Sequence, residues 1–474
     1  MLLPSVLYAQ STRVLTLEEC LRLARSGSPA AEIARLQFAQ AEADLRAFRG
    51  STLPSLAFSS NVPSLQREII EVVQDDGSIR FVEQSRTFST AGLTLDQALP
   101  WTGGRVSVSS GLSRVEEFGD FDRLVWQSTP ISVSLTQPLF QFNPLRWEQR
   151  LAPLRFQASR RALVEDLEQT ALDAAGLFFD VYLAEIGQDI AAFNLAVNDT
   201  IYTLSQGRFD IGRIAENDLL QSELALLNAQ TALAQAEIQA DRARQTLKTA
   251  LRLPTTAPLE VVPPLTFPEV DIDPGLAVEQ AQRYRAAILD AEVRALQADR
   301  AVAEARRGAG PSATLQASYG LNQSAGAFDA VYDSPLNQQR ATLRLQVPIM
   351  QWGQGQAERA AAEAARAETT QRLAVERDQL EQDVYFEALQ FRQLQQQVRI
   401  AAKADTVAAR RFEVARSRYR IGTIDITDLF DAQREQDAAR RAYVSTLRDY
   451  WTSYYRLRRL TLYDFVRGEP IRLQ

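Results

Sequence analysis

The segment RFDIGRIAENDLL at residues 208–220 returns as RYRIGTIDITDLF at 418–430, and PLFQ at 138–141 returns as PIMQ at 348–351. Both pairs stand 210 residues apart, so the 474-residue chain is a tandem duplication of one long unit. A repeat on this scale comes before any other inference, because each unit builds the same supersecondary structure and only the differences between units can specialise. Length alone would suggest two or three unrelated domains. The duplication argues instead for two intertwined copies of one architecture.

Composition removes most chemistry. Histidine is absent and Cys20 is the only cysteine, which excludes Ser-His-Asp and Cys-His nucleophiles, His or Cys zinc sites and an intrachain disulfide. Two methionines leave little from which to build a soft-metal site. Neither a metal nor a cofactor is expected, and with no pair of acidic residues marked as converging in a pocket, neither is an enzyme. The net charge is −7, with no dense Lys/Arg patch interleaved with aromatics, so a nucleic-acid partner is not expected. Cys20, in LTLEEC, reads as a packed thiol. No stretch approaches the length of a transmembrane helix. MLLPSVLYAQS, with Ala9 before a polar residue, resembles the end of a clipped signal peptide and predicts export.

The chain divides into an N-terminal extension at 1–14, a first repeat at 15–253, a linker at 254–275 rich in proline, a second repeat at 276–465 and a tail at 466–474. Each repeat reads as helix, strands, then a very long helical hairpin. Thr16 and Glu19 form a capping box that opens a helix over 16–49, closed by Gly50 and Pro54; its counterpart over 276–307 closes at Gly308 and Pro311.

Alternating segments follow at 54–137 and at 312–347. Ile131, Val133 and Leu135 alternate with Ser132, Ser134 and Thr136, and Leu343, Leu345 and Val347 with Thr342, Arg344 and Gln346. Period two with one apolar and one polar face means strands whose faces meet different surroundings, the apolar one either a packed core or lipid. The first repeat carries an insertion of 47 residues here. It reads as a hairpin at 68–84 turning at Asp76-Gly77, and two more strands, 93–99 and 105–112, joined through Trp101 to Gly104.

The hairpins at 144–252 and 353–462 are dominated by Ala, Gln, Glu, Arg and Leu, and Pro153 alone interrupts the first long helix. At 1.5 Å per residue such helices are on the order of 90–100 Å long. Leu380, Val384, Phe391, Leu394, Val398, Phe412 and Tyr419 form a coiled-coil seam in the second, broken only at Glu387 and Asp405. Gly212 and Gly422 supply the turns.

Strands with a polar second face, beside long paired helices, predict an α+β membrane protein: a β-barrel continued by an α-helical coiled-coil barrel, with two tandem structural repeats per chain. Only a closed barrel satisfies its backbone in lipid. Four to six strands cannot close a wide one, so several chains must contribute. Trp101, Phe140, Trp147 and Trp352 stand at strand ends or strand-to-helix junctions, either as a membrane-interface girdle or as plugs of the junction cores.

LTLEECLRLARSGSPA at 15–30, STLPSL, GAGPSA, TQPLF and the doubled glycine motif together resemble the TolC family of outer-membrane channel proteins, over essentially the whole chain. The resemblance implies a homotrimer in outer-membrane lipid that extends into the periplasm. Such a protein is the exit duct of a tripartite efflux pump or a type I secretion system, working with a periplasmic adaptor and an inner-membrane transporter of the RND or ABC type. It further implies a periplasmic gate in which Asp428 and Asp431 form an acidic constriction, Tyr419 a link and Asp218 its first-repeat partner. The tips Arg208, Gly212, Ile214, Arg418, Gly422 and Ile424 would dock the adaptor. The family's arginine two residues after the second glycine is replaced by Ile424, which favours hydrogen bonding and packing over a salt-bridge latch. Members with four strands per chain close a trimeric barrel of twelve; six alternating segments here would allow eighteen. A periplasmic adaptor or a coiled-coil scaffold is the alternative, but an adaptor usually brings one hairpin where this chain has two, and a scaffold leaves the two-faced strands without a role.

Overall fold

A computed structural model describes residues 13–118, 122–264 and 267–472, so the expected cleavage site at Ala9 lies outside the described residues. In chain order the elements are β1 (Arg13–Thr16), α1 (Leu17–Gly27), α2 (Pro29–Ser51), β2 (Ser55–Val73), β3 (Ile79–Leu99), β4 (Gly104–Phe118), β5 (Arg123–Leu139), α3 (Pro144–Asp210) and α4 (Glu216–Ala250). Then follow β6 (Leu259–Val262), α5 (Pro274–Tyr284), α6 (Ala286–Gly308), β7 (Ser312–Ala325), a 3-10 turn at Asp329–Tyr332, β8 (Leu336–Gln346), α7 (Gln354–Arg420), α8 (Ile426–Thr461), β9 (Tyr463–Asp464) and β10 (Glu469–Pro470).

Where the sequence predicts one helix over 16–49, the structure has two. Thr16 caps α1 by accepting the Glu19 amide at 3.3 Å, Ser28 turns extended, and its hydroxyl caps α2 by accepting the Ala31 amide at 3.1 Å. The helix over 276–307 divides likewise at Arg285, after Asp273 caps α5 through the Leu276 amide at 2.8 Å. The linker at 254–275 is not wholly irregular, since β6 pairs in parallel with β1. Pro153 lies inside an uninterrupted α3.

The chain forms two compact units, and each draws on both repeats. The first comprises residues to 39, 158–289 and 374 onward; the second comprises 40–157 and 290–373. The first unit holds the helical core. Cys20, Phe178, Phe179, Leu247, Val384, Phe391, Leu447, Tyr450 and Leu457 form its centre. Burial pushes the Cys20 thiol up to about 12, so it is an inert packed group. The α7 seam is buried, and its two breaks are compensated: Glu387 accepts from Ser453 at 2.7 Å and pairs with Arg456 at 3.3 Å, while Asp405 pairs with Arg440 at 2.9 Å. The repeat is also visible in the backbone. Arg252 and Leu462, again 210 apart, both take positive φ just past the ends of α4 and α8, at 54° and 48°.

The second unit is built on one six-stranded antiparallel sheet in the order β2-β3-β4-β5-β7-β8. The hairpin read at 68–84 is not separate. It is the outer half of β2 and β3, which turn through Gln74–Ser78 with Gly77 at φ 80°. Between Asn61 and Ser64, β2 spends an extra residue in a bulge. Side chains alternate faces with period two, so this one residue moves Leu65, Ile69 and Val73 onto the face that carries Leu56 and Phe58.

Candidate functional site

Two regions carry the expected function, one in each unit. At the hairpin ends of the helical unit, both turns use the same chemistry. The Arg213 amide bonds the Arg208 carbonyl and the Gly212 amide bonds that of Phe209, each at 2.8 Å; Thr423 and Gly422 do the same to Arg418 and Tyr419, each at 3.0 Å. These are Schellman motifs, which require a left-handed residue, and Gly212 and Gly422 have φ of 70° and 77°. A Cβ at Gly422 would meet no atom, so only the dihedral opposes it. Gly422→Ala should therefore cost about 1–2 kcal/mol of stability. Chemical denaturation in detergent measures this, and a loss well outside that range would mean the turn is held by something other than its dihedral.

Around these turns Ile201, Phe412, Tyr419, Ile426, Leu429 and Ala432 form a second apolar cluster, with Ile424 packed against it. Ile424 thus contributes packing where a salt bridge is impossible. Tyr419 is buried, but its hydroxyl lies 3.4 Å from Ser205 Oγ, so its partner is Ser205 and not Asp218. Arg208, expected at a docking tip, reaches across the repeats instead. Its guanidinium sits 5.2 Å from the centre of the Tyr419 ring and donates to the carbonyls of Tyr419 at 3.3 Å and Arg420 at 3.4 Å.

The carboxylates are also differentiated. Asp425 caps α8 by accepting the Asp428 amide at 2.9 Å, leaving the Asp428 side chain exposed in the first turn. Asp431, one turn on, pairs with Arg434. Of two expected acidic groups, one is neutralised. Asp218, near the start of α4, is half-buried; Ile214 is half-buried and Arg418 exposed in the turns.

In the sheet, register aligns like with like. Leu56, Leu95, Val108, Val133 and Tyr319 lie side by side on one face, across five strands. The row directly beside it, on the opposite face, is Ser55, Asp96, Ser107, Ser134, Ser318 and Arg340, across all six. The apolar face is bare: Leu56, Phe58, Leu343 and Leu345 are each more than 60% exposed. Both outer strands, β2 and β8, leave an edge of the sheet without a partner.

The end of the sheet that leads into α3 carries exposed aromatics. Trp101 occupies the β3–β4 turn, which is fastened to the start of α3 where Asn143 donates to the Pro100 carbonyl at 2.8 Å and accepts the Arg146 amide at 3.1 Å. Phe140 follows the last residue of β5 and Trp352 lies between β8 and the start of α7, both with positive φ (65° and 49°), which is unusual for large side chains, and Trp352 is 90% exposed. Trp147 is half-buried beneath Arg150. Trp101, Phe140 and Trp352 therefore do not plug junction cores. The opposite end has a second cluster that sequence reading missed: Trp126 and Phe328 pack edge to face at 5.2 Å, with Tyr332 6.4 Å from Phe328. Phe328 and Tyr332 lie in a non-repeating loop, where periodicity gives no signal.

The sequence model of the outer membrane efflux protein family matches residues 277–461. No curated protein matches the sequence. Among solved structures, the chain resembles the CmeC outer membrane channel of Campylobacter jejuni with a TM-score of 0.70 at 16% identity, over 97% of this chain and 87% of that one. It resembles the outer membrane protein VceC of Vibrio cholerae with a TM-score of 0.67 at 15% identity, over 96% of each. The open state of the MtrE outer membrane channel of Neisseria gonorrhoeae gives 0.62 at 17%, over 94% and 88%. At these identities the likeness speaks for the fold. The match to the outer membrane efflux protein family covers residues 277–461, and the chain over nearly its whole length has the fold of these outer-membrane channels.

Proposed function

We propose that the protein is the outer-membrane exit duct of a tripartite efflux pump or a type I secretion system, a passive homotrimeric channel that extends into the periplasm. It would work with a periplasmic adaptor and an inner-membrane transporter of the RND or ABC type. The observation that carries the reading is the six-stranded sheet, bare on its apolar face, hydroxylated and charged on the other, and open at both edges. The two aromatic clusters fit the same role. From Trp126 to Phe140 the strand runs on the order of 45 Å at about 3.3 Å per residue, which a tilt near 45° reduces to roughly 30 Å, the thickness of a hydrocarbon core. A periplasmic adaptor or a soluble scaffold would hold this apolar face in water.

Three copies of six strands close a barrel of eighteen, wide enough to leave an aqueous channel. The protein should fractionate with outer membranes and run as a trimer in detergent. A soluble monomer would refute the duct, and twelve strands in the trimer would refute the count.

At the periplasmic gate, Asp428 is the carboxylate free to meet cations. Asp428→Ala should reduce the block of single-channel current by multivalent cations, whereas Asp431→Ala should do so less, because Arg434 already pairs with Asp431. Equal effects would remove the distinction between them.

A further inference from the structure

The polar face of the sheet, which the proposed duct turns toward its lumen, carries an unbalanced charge. Asp96, Ser107, Ser134, Ser318 and Arg340 share one row of that face. Side chains return to a face at every second residue, so Arg105, opposite Thr136, and Arg344, opposite Thr314, fall in the next two rows toward α3. The three arginines thus occupy a band about 13 Å deep along the strands. All three are exposed, and among the described residues none has an acidic partner. The one acid in the band, Asp96, accepts from the Ser107 hydroxyl.

Elsewhere on the sheet most arginines are matched. On the apolar face Arg67 pairs with Glu83, and Arg114 with Glu116 at 2.6 Å. On the polar face, farther from α3, Arg86 pairs with Glu68 at 3.5 Å and Arg123 stands opposite Glu117. Closing the barrel does not neutralise the band either. A neighbouring copy would lay its β2 beside β8, and the chain carries no charge over residues 55–66. The nearest acid is then Asp96 of β3, two strands away, or roughly 10 Å.

Unpaired like charges contribute nothing to folding and repel one another, so the band calls for another reason. Three copies would set nine guanidinium groups and three carboxylates around one lumen. Rings of arginine favour anions in pores, and the guanidinium fork fits carboxylate and phosphate in particular. At 0.1 M salt such a ring acts over about 10 Å, which reaches well into the lumen.

We infer that Arg105, Arg340 and Arg344 form an anion-selective ring in the barrel, and that the cargo of the duct is drawn from solutes bearing carboxylate or phosphate groups. This rests on the trimeric duct proposed above and adds the chemical class of what passes through it. Asp428 acts at a different place. It stands beside a hairpin turn of the helical unit, where it meets cations while the entrance is narrow, whereas the ring meets whatever has entered.

Reversal potentials of the full-length protein in planar bilayers under a KCl gradient test the ring. Asp428→Ala and Asp431→Ala are both present, so that the gate contributes no selectivity of its own. Chloride should then permeate at least about three-fold better than potassium at low salt. The preference should fade toward 1 M, where the screening length is about 3 Å. Inorganic phosphate in place of chloride should keep it. Arg105→Gln, Arg340→Gln and Arg344→Gln together should remove it, and lysine at the same three positions should retain it. A ratio unchanged by the glutamines, or a preference for potassium before they are introduced, overturns the ring and leaves the duct standing. A preference that high salt does not weaken also overturns it. Protein that enters the outer membrane but forms no channel would refute the duct itself, and the ring with it.

Discussion

Glu168→Ala should destabilise the helical unit by about 3–5 kcal/mol, among the largest effects of any single substitution. Glu168 is 3% exposed, and its carboxylate meets Arg25 of α1 at 3.0 Å and Arg458 of α8 at 3.0 Å. Arg458 also pairs with Asp464, which accepts from the Tyr454 hydroxyl at 3.1 Å and from the amides of Val466 at 3.0 Å and Arg467 at 3.2 Å. Removing the carboxylate leaves two guanidinium groups facing each other at a nearly dry site. Glu168→Gln keeps the shape but not the charge, and should fall between alanine and wild type. Thermal unfolding in detergent measures both, and a double-mutant cycle with Arg458→Ala should show strong coupling. Independent effects would mean that the pair is incidental to the packing of Tyr454 and Tyr455.

The same cluster sets an acid limit. Burial works to raise the Asp464 carboxyl, yet Arg458, the two amides and Tyr454 hold it below the ordinary value. A group with a depressed folded pKa contributes stability above its unfolded value of about 3.9 and loses it as pH falls from there through the folded value. Its share should thus be constant between pH 5 and 8 and decline below about 4.

How much of this could be read in the sequence depended on whether the cause was local. The turns at Gly212 and Gly422 were legible because a Schellman motif is written in consecutive residues. The two-faced strands were legible because alternation is intrinsic to a pleated chain. The outer halves of β2 and β3 looked like a separate hairpin because the bulge at Asn61–Ser64 breaks their alternation. The helix break at Ser28 is announced by Gly27-Ser28-Pro29, but good helix formers on both sides mask it, and Arg285 carries no local signal at all. Least legible were pairs set by packing. Ser205, Arg208 and Tyr419 meet only because α3 and α7 lie parallel, and no spacing in the chain encodes which arginine of the two repeats will cross.

That crossing arginine leads to the second large effect. In the duct proposed above, Arg208→Ala should raise single-channel conductance and lengthen open periods. The last carbonyls of α7 have no partner within the helix, and the Arg208 guanidinium donates to that of Arg420 and, beside the Gly422 amide, to that of Tyr419, while covering the Tyr419 ring. The repeat offers a control on direction, because the equivalent pair, Arg418 and Phe209, is exposed and among the described residues forms no such tie. The link therefore runs from the first hairpin to the second only. Charged hydrogen bonds of this kind are worth about 2 kcal/mol, which corresponds to roughly a thirty-fold shift between closed and open populations. Arg208→Lys should restore part of the closure, since one nitrogen donates to both carbonyls and an ammonium can do the same, but the planar cation over the Tyr419 ring is lost. Tyr419→Phe should be mild, because it loses only the 3.4 Å contact to Ser205, while Tyr419→Ala should resemble Arg208→Ala with an added cavity in the cluster around Phe412. Wild-type conductance in both Arg208→Ala and Tyr419→Ala would show that the hairpins of one chain are held together elsewhere. A change in Tyr419→Ala alone would assign the closure to packing rather than to the arginine.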